Sequence, residues 1–211
     1  MKRAMLLLAV LLLSGCGWTE PTATANPRAA AELQEGDHLA GLYTYSPFQP
    51  RIEVTLPDDR WTTFHLTQDF FDVARETSGG PIAVMFLDPI AFLTSDEEEA
   101  QAATPREAIE LLADHEGTTV SEPRAVEIGG RSGLEVDADF AIDNTHVIRV
   151  SGGDIGFGPS SDVRLAVLEA DAGLLVIGLV APAGHMEEAE ETTQAVRDSI
   201  TIHWCAHTYE N

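Results

Sequence analysis

The end of the chain holds its densest group of metal-binding side chains. His203, Cys205 and His207 alternate with other residues, so on an extended strand all three would lie on one face. Imidazole and thiolate groups are ligands that zinc and copper prefer. A structural zinc site normally has four ligands, and the sequence does not show the fourth. Two interpretations stay open: a metal site, or a C-terminal tail with an incidental cysteine, which we favour because such short matches are common.

The other cysteine, Cys16, follows an apolar segment near the start of the chain. Lys2 and Arg3 precede the apolar run Ala4–Leu13, which as a helix would span about half of the ~30 Å membrane core. Such a run is typical of an export signal. The string Leu13-Ser14-Gly15-Cys16 matches the lipobox of bacterial lipoproteins. We therefore expect residues 1–15 to be a signal peptide, and Cys16 to carry a diacylglycerol that anchors the mature chain outside the cytoplasm.

Three carboxylates share one face of a predicted strand. Glu135, Asp137 and Asp139 alternate with apolar residues over the range 133–140. Calcium takes six to eight oxygen ligands, and three carboxylates at this spacing would supply some of them. The sequence lacks the glycine of an EF-hand loop at the corresponding position, which is Ile142. We favour the solvated face of an amphipathic strand over a calcium site.

A glycine-rich segment covers residues 151–162. Its glycines match neither the dinucleotide fingerprint nor a phosphate-binding loop. We therefore predict a mobile loop. Glycines also permit the backbone movement of a lid, and Phe157 would give such a lid an apolar tip for a ligand or partner.

The charge of the chain excludes several functions. The 211 residues have 12 basic and 35 acidic side chains, a net charge of −23. Cleavage after residue 15 removes two positive charges and no acid, leaving about −25. Lys2 is the only lysine, so the mature chain has no lysine for Schiff-base chemistry or a P-loop. Such an acidic surface repels phosphate backbones, which argues against nucleic acid as a partner.

The sequence contains no recognised catalytic or cofactor-binding motif. The patterns Gly-x-Ser-x-Gly and His-Glu-x-x-His are both absent, and we expect no cofactor. Serine, histidine and aspartate are plentiful, so a catalytic triad assembled by folding stays open. The preference for arginine, with abundant alanine and glycine, is typical of a high-GC genome such as that of an actinobacterium.

The pattern of apolar residues predicts an α+β fold with an antiparallel, twisted sheet covered by helices. Alternating or apolar runs predict strands, and a capping box predicts a helix from Pro105. Apolar residues at helical spacing predict a second helix from Met186 to Ile200. The strands are predicted at 52–56, 70–75, 82–87, 126–128, 133–140, 145–150, 163–169, 174–180 and 201–204.

Several short motifs resemble PsbP-like domains, which actinobacterial LpqN-type lipoproteins carry behind a lipobox. They are Gly41-Leu42-Tyr43, the stretch from Leu56 to Trp61, the hairpin from Val126 to Leu134, and the ending from Ala195 to Ile202. The resemblance covers about residues 39–204. It implies an α/β/α sandwich with a binding or adaptor role, and it transfers no active-site residue.

Together these patterns predict a lipid-anchored, non-enzymatic binding domain of the cell envelope. We divide the chain into a signal peptide (1–15), the lipidated cysteine with a flexible tether (16–37) and one globular domain (38–211). The expected partners are the membrane, through Cys16, and an envelope protein or an apolar small molecule. The alternatives are a metal-binding lipoprotein that uses His203, Cys205 and His207, or an envelope hydrolase.

Overall fold

A computed structural model of the protein describes residues 29–171 and 173–203. The two helices in these residues are α1 (Pro105–Asp114) and α2 (Met186–Ser199). The strands, in chain order, are β1 (Ala31–Glu32), β2 (Gly36–His38), β3 (Gly41–Thr44), β4 (Arg51–Leu56), β5 (Trp61–Thr63), β6 (Leu66–Thr67), β7 (Phe70–Thr77), β8 (Gly80–Leu87), β9 (Ala91–Leu93), β10 (Glu99–Ala100), β11 (Thr118–Val120), β12 (Arg124–Ile128), β13 (Arg131–Phe140), β14 (Thr145–Val150), β15 (Gly153–Phe157), β16 (Ser161–Ala170), β17 (Gly173–Pro182) and β18 (Thr201–His203).

A ten-stranded sheet forms the centre of the molecule. Its main path runs β11-β13-β16-β17-β8-β7-β5-β2, while β12 pairs with β13 and β6 with β7. Every pairing in this sheet is antiparallel. The predicted hairpins at β7–β8 and β12–β13 are present. Strand β17 is apolar along most of its length and buried on both faces, as expected for a central strand.

Each face of the central sheet is covered by one helix and one small sheet. On the first face, α2 and the sheet β1-β3-β4-β18 bury Phe86 and Ile177. On the second face, α1 and the sheet β10-β9-β14-β15 bury Val167 and Val176. The domain therefore has two separate cores, one on each side of the central sheet.

The antiparallel α+β class was predicted correctly, but helices alone do not cover the sheet. The two helices contain 10 and 14 residues, which corresponds to lengths of about 15 and 21 Å. The eight strands of the main path, at ~4.8 Å spacing, make a sheet too wide for one such helix on each face. The small sheets bury the remaining apolar surface, and the molecule is dominated by strands.

Both predicted helices are present, and the predicted cap of α1 has formed. The Thr104 hydroxyl accepts a hydrogen bond from the Glu107 N–H at 3.2 Å. The Glu107 carboxylate accepts one from the Ala103 N–H at 2.7 Å. These bonds satisfy backbone donors that would otherwise have no partner at the start of the helix.

The glycine-rich segment 151–162 is not simply a loop, which corrects the prediction. Residues 153–157 form β15, which pairs with β14. Phe157 is buried and packs on Phe140, with ring centroids 5.1 Å apart. The side chain therefore fills the second core and is not an exposed tip. Gly156 fits this strand because a Cβ atom there would lie 2.6 Å from the ring of His146.

The fold begins earlier than the predicted boundary at residue 38. Strand β1 pairs in parallel with β3, and β2 pairs with β5. Leu33, which follows β1 and precedes β2 in the chain, is 2% exposed and belongs to the first core. Residues 31–37 were assigned to the tether because their short strands carry no clear alternation, and they belong instead to the domain.

Candidate functional site

A groove lies between β15 and the central sheet. It consists of two adjoining cavities of about 520 and 360 Å³, which share His65, Phe70, Asp154 and Ile155. The larger cavity also reaches Met85 and Val180 of the central sheet, and the smaller one reaches Phe64 and Glu35. We refer to these two cavities together as the groove.

A histidine–aspartate pair lies in the wall formed by the β6–β7 region. The His65 Nδ1 atom is 2.7 Å from the Asp72 carboxylate, and the imidazole stacks on Phe70. Asp72 is buried, and one of its oxygens accepts hydrogen bonds from the Phe64 and His65 N–H groups at 2.8 and 3.2 Å. Because Asp72 engages Nδ1, the other ring nitrogen is available to a molecule in the groove.

Strand β15 forms the opposite wall and lies at the edge of its sheet. Arg149 of β14 donates hydrogen bonds to both oxygens of Asp154 at 2.7 and 3.0 Å, and one to Glu99 at 2.5 Å. The hydrogen bonds from Arg149 lower the pKa of Asp154, so this carboxylate stays ionised. The wall thus carries a fixed, partly neutralised negative charge along the groove.

Asp69 holds the two walls together. This residue is 6% exposed and lies in the turn between β6 and β7. Its carboxylate accepts a hydrogen bond from the Thr67 hydroxyl at 2.9 Å and one from the Ser151 N–H in the β14–β15 turn. Burial raises the pKa of Asp69, but the hydrogen bonds from Ser151 and Thr67 outweigh it and lower the pKa overall.

A second carboxyl group close to Asp69 titrates in an unusual range. Burial, together with the negative charge of Asp69, raises the pKa of Asp88 to about 6. The Asp88 N–H also donates to the Asp69 carbonyl at 2.9 Å. The pair therefore joins one ionised carboxylate to one that gains a proton in mildly acidic conditions.

The carboxylates predicted on β13 bind arginines away from the groove. Glu135 is 7% exposed and accepts hydrogen bonds from Arg124 at 3.1 Å and from Arg197 of α2 at 2.6 Å. Asp137 accepts from Arg124 and from Arg164. The prediction of a solvated strand face was wrong for Glu135, because α2 covers that face. In the described part of the chain, no group of acidic, histidine or cysteine side chains could hold a metal ion.

Three of the site residues predicted from the sequence lie outside the described part of the chain. They are Cys16, Cys205 and His207, so lipidation and the metal site stay predictions. His203 ends β18, where its Nε2 atom lies 3.4 Å from Glu53. Phe157 lines the larger cavity of the groove, so its role in contacting a ligand also stays a prediction.

Four residues of the groove were not predicted from the sequence: His65, Asp69, Asp72 and Asp154. The first three lie within eight residues around a two-residue strand, and no local motif marks them. The glycines next to Asp154 gave the only signal, because glycine inside a strand often marks close approach of another backbone.

No protein-family model matches the chain, and no curated protein sequence is significantly similar to it. Among solved structures it is similar to the cyanobacterial PsbP protein CyanoP of Synechocystis, with 11% identity, a TM-score of 0.44 and coverage of 79% of this chain and 95% of that one. It is also similar to LpqN of Mycobacterium tuberculosis, a protein involved in cell envelope biogenesis, with 16% identity and a TM-score of 0.41. This match covers 80% of this chain and 90% of LpqN. A protein of Bacteroides thetaiotaomicron is also similar, with 11% identity and a TM-score of 0.42; the match covers 84% of this chain and 52% of that one.

Both kinds of protein that the sequence resembles, PsbP and LpqN, are thus among the solved structures that are similar to this chain. At 11 to 16% identity and TM-scores below 0.5, the likeness transfers neither a binding site nor an activity to this chain. Among the residues that the structure describes, no helix is long and apolar enough to cross a membrane.

Proposed function

We propose that this protein is a lipid-anchored binding domain of the bacterial cell envelope, without catalytic activity. The observation that carries the proposal is the groove, whose walls are held in place by Asp69 and by the pairs His65–Asp72 and Arg149–Asp154. Preformed clefts with a few well-oriented polar groups are the usual form of binding sites. The lipobox at Cys16 supports display of this groove outside the cytoplasm.

Replacement of the two cysteines tests the anchor. In a bacterial host, the wild-type chain should incorporate radiolabelled palmitate and partition into detergent, whereas Cys16→Ser should do neither. Cys205→Ser is the matched control, because it removes the only other thiol and should keep the label. Palmitate on the Cys16→Ser variant would refute the lipid anchor.

Native mass spectrometry tests the binding function. The mature chain, with Cys16 replaced by serine and exported behind an ordinary signal peptide, is compared under native and denaturing conditions. A lipid-sized adduct would identify an apolar small molecule as the ligand, and an adduct near the mass of zinc or copper that Cys205→Ser loses would identify the metal site. If the apo mass alone is found, crosslinking in native membranes should reveal a protein partner, and absence of any crosslink would contradict the function.

A hydrolase is the second candidate, and one observation favours it. His65 faces the groove while buried Asp72 holds its Nδ1 atom, the arrangement by which a carboxylate orients a general base. Ser160 and Ser161 line the same cavity, and the Ser161 hydroxyl donates to the Gly158 carbonyl at 3.0 Å. Hydrolysis of p-nitrophenyl acetate that falls at least 100-fold in His65→Gln would favour the hydrolase, and equal rates would exclude His65 as its base.

A further inference from the structure

Within residues 29–171 and 173–203, no strand pairs with the outer edge of β15, and the groove runs along this edge. The Arg149 carbonyl accepts a hydrogen bond from the Ile90 N–H at 2.8 Å, so the backbone groups of Arg149 point away from β15. The backbone groups of its neighbours Ile148 and Val150 therefore point towards β15, where Ile148 pairs with Ile155 and Val150 with Gly153. By alternation, the N–H and C=O groups of Asp154 point outwards from the sheet, as do those of Gly156.

The groove follows this open edge along its whole length. The smaller cavity is lined by residues 152–155 and the larger one by residues 154–158. A strand of this length spans about 17 Å, and an added strand would lie about 4.8 Å from it. The shape of the site therefore suits an extended polypeptide better than a compact ligand.

Apolar side chains along the groove offer contacts for alternate residues of an added strand. Phe64 is 50% exposed on the far wall, and Phe70 and Ile155 are half-buried between the two cavities. In a strand, every second side chain points to the same face. Two or three apolar side chains of an extended peptide would therefore reach this surface.

The groove is acidic, which defines the charge of its occupant. Glu35 and Asp143 line its two ends, and neither forms an ion pair with a described residue. Asp154 lies between them, and its charge is shared with Arg149. None of the arginines that the structure describes lines either cavity. A peptide with arginine or lysine side chains complements this surface, whereas a second copy of this acidic chain would be repelled.

We propose that an extended, basic segment of another protein binds in the groove as an additional strand beside β15. The backbone of Asp154 supplies hydrogen bonds to this segment, and Glu35 and Asp143 bind its cationic side chains. This inference rests on the binding function proposed above and names its partner class. Strand addition to an exposed sheet edge is a general mode of peptide recognition, in which the backbone contributes affinity and alternate side chains specificity.

A phage-displayed library of random dodecapeptides provides the probe, selected against the mature chain with Cys16 replaced by serine. The selected sequences should alternate apolar residues with arginine or lysine. Binding of the synthetic peptides should weaken as salt is raised, and the double change Glu35→Gln with Asp143→Asn should weaken it about 3- to 10-fold. In hydrogen exchange, the peptide should protect the backbone amides of Asp154 and Gly156.

Two substitutions at one position separate the backbone from the side chain. Asp154→Ala and Asp154→Pro both remove the carboxylate, but only proline removes the outward N–H. Proline is tolerated at such a position of an edge strand, so the two variants should unfold at similar urea concentrations. Asp154→Pro should bind the selected peptides at least 10-fold more weakly than Asp154→Ala, because it lacks one hydrogen bond to the added strand.

The other outcomes overturn the inference in distinguishable ways. Selected peptides that bind both variants equally would place the peptide site elsewhere and leave the binding function standing. If no peptide is selected and native mass spectrometry shows a lipid adduct, the groove binds a small molecule and strand addition is wrong. If neither a peptide nor any adduct or crosslinked partner is found, the proposed binding function fails as well.

Discussion

Replacement of Asp69 by alanine tests how the groove is held together. The Asp69 carboxylate joins the β6–β7 turn to the β14–β15 turn through the Thr67 hydroxyl and the Ser151 N–H. Its backbone and its charge also act on Asp88. The substitution removes both side-chain hydrogen bonds and the charge while leaving the rest of each wall in place.

The structure sets the size of the expected effect. A hydrogen bond to a charged group contributes about 1.5–3 kcal/mol. The Asp69 carboxylate accepts two such bonds, one from the Thr67 hydroxyl and one from the Ser151 N–H. Ser151 is exposed, so water replaces part of the lost interaction, and removal of the charge relieves its repulsion of Asp88. We therefore expect Asp69→Ala to lower the free energy of unfolding by about 2 kcal/mol, a loss of about 4–8 °C in Tm for a domain of this size.

Urea denaturation at pH 7 measures the loss, and NMR titration gives a second, independent readout. In Asp69→Ala the pKa of Asp88 should fall from about 6 towards its ordinary value, because the neighbouring negative charge is gone. Hydrogen exchange should become faster at Ser151 and in β15. Asp69→Asn is the control for shape, since it keeps an acceptor oxygen. An unchanged urea midpoint together with an unchanged Asp88 titration would refute the assigned role of Asp69.

Two further predictions concern Asp88 and Glu135. The pKa of Asp88 is about 6 in the folded protein and ordinarily about 4. Between about pH 4 and 6 the folded protein therefore binds more protons at Asp88 than the unfolded chain does. The contribution of Asp88 to the free energy of unfolding should fall as pH rises through this range. Asp88→Asn should flatten this dependence in urea midpoints measured at several pH values, and an unchanged slope would contradict the assignment. Glu135→Ala should cost about 2–4 kcal/mol, because Arg197 keeps a largely buried charge without its partner. Glu135→Gln should cost less in the same urea assay, and equal losses would show that the charge is unimportant.

The elements found from the sequence are those with a strong local pattern. Helix α1 was located through its capping box and α2 through apolar residues at helical spacing. Strand β17 was located because it is apolar throughout. The missed strand β15 contains two glycines within five residues, so its extended form depends on pairing with β14, which a local pattern cannot show.

The candidate site depends on contacts between distant parts of the chain, which explains why the sequence did not reveal it. Asp69 and Ser151 are 82 residues apart, and the interaction between them defines both walls of the groove. Glu135 and Arg197 are separated by 62 residues. The alternation around Glu135 correctly predicted a strand with two different faces. It could not show that α2 covers the polar face and supplies an arginine there.

The order of strands in the central sheet also affects how the chain reaches its folded state. Strand β8 pairs with β17, with Leu87 opposite Val176, so the middle of the sheet joins residues about 90 positions apart. A chain that emerges from its N-terminus can form the β7–β8 hairpin early, but β8 then exposes an apolar, unpaired edge until β17 follows. Such long-range pairing slows folding, and open apolar edges promote aggregation. We therefore expect truncation before residue 173 to give an insoluble product.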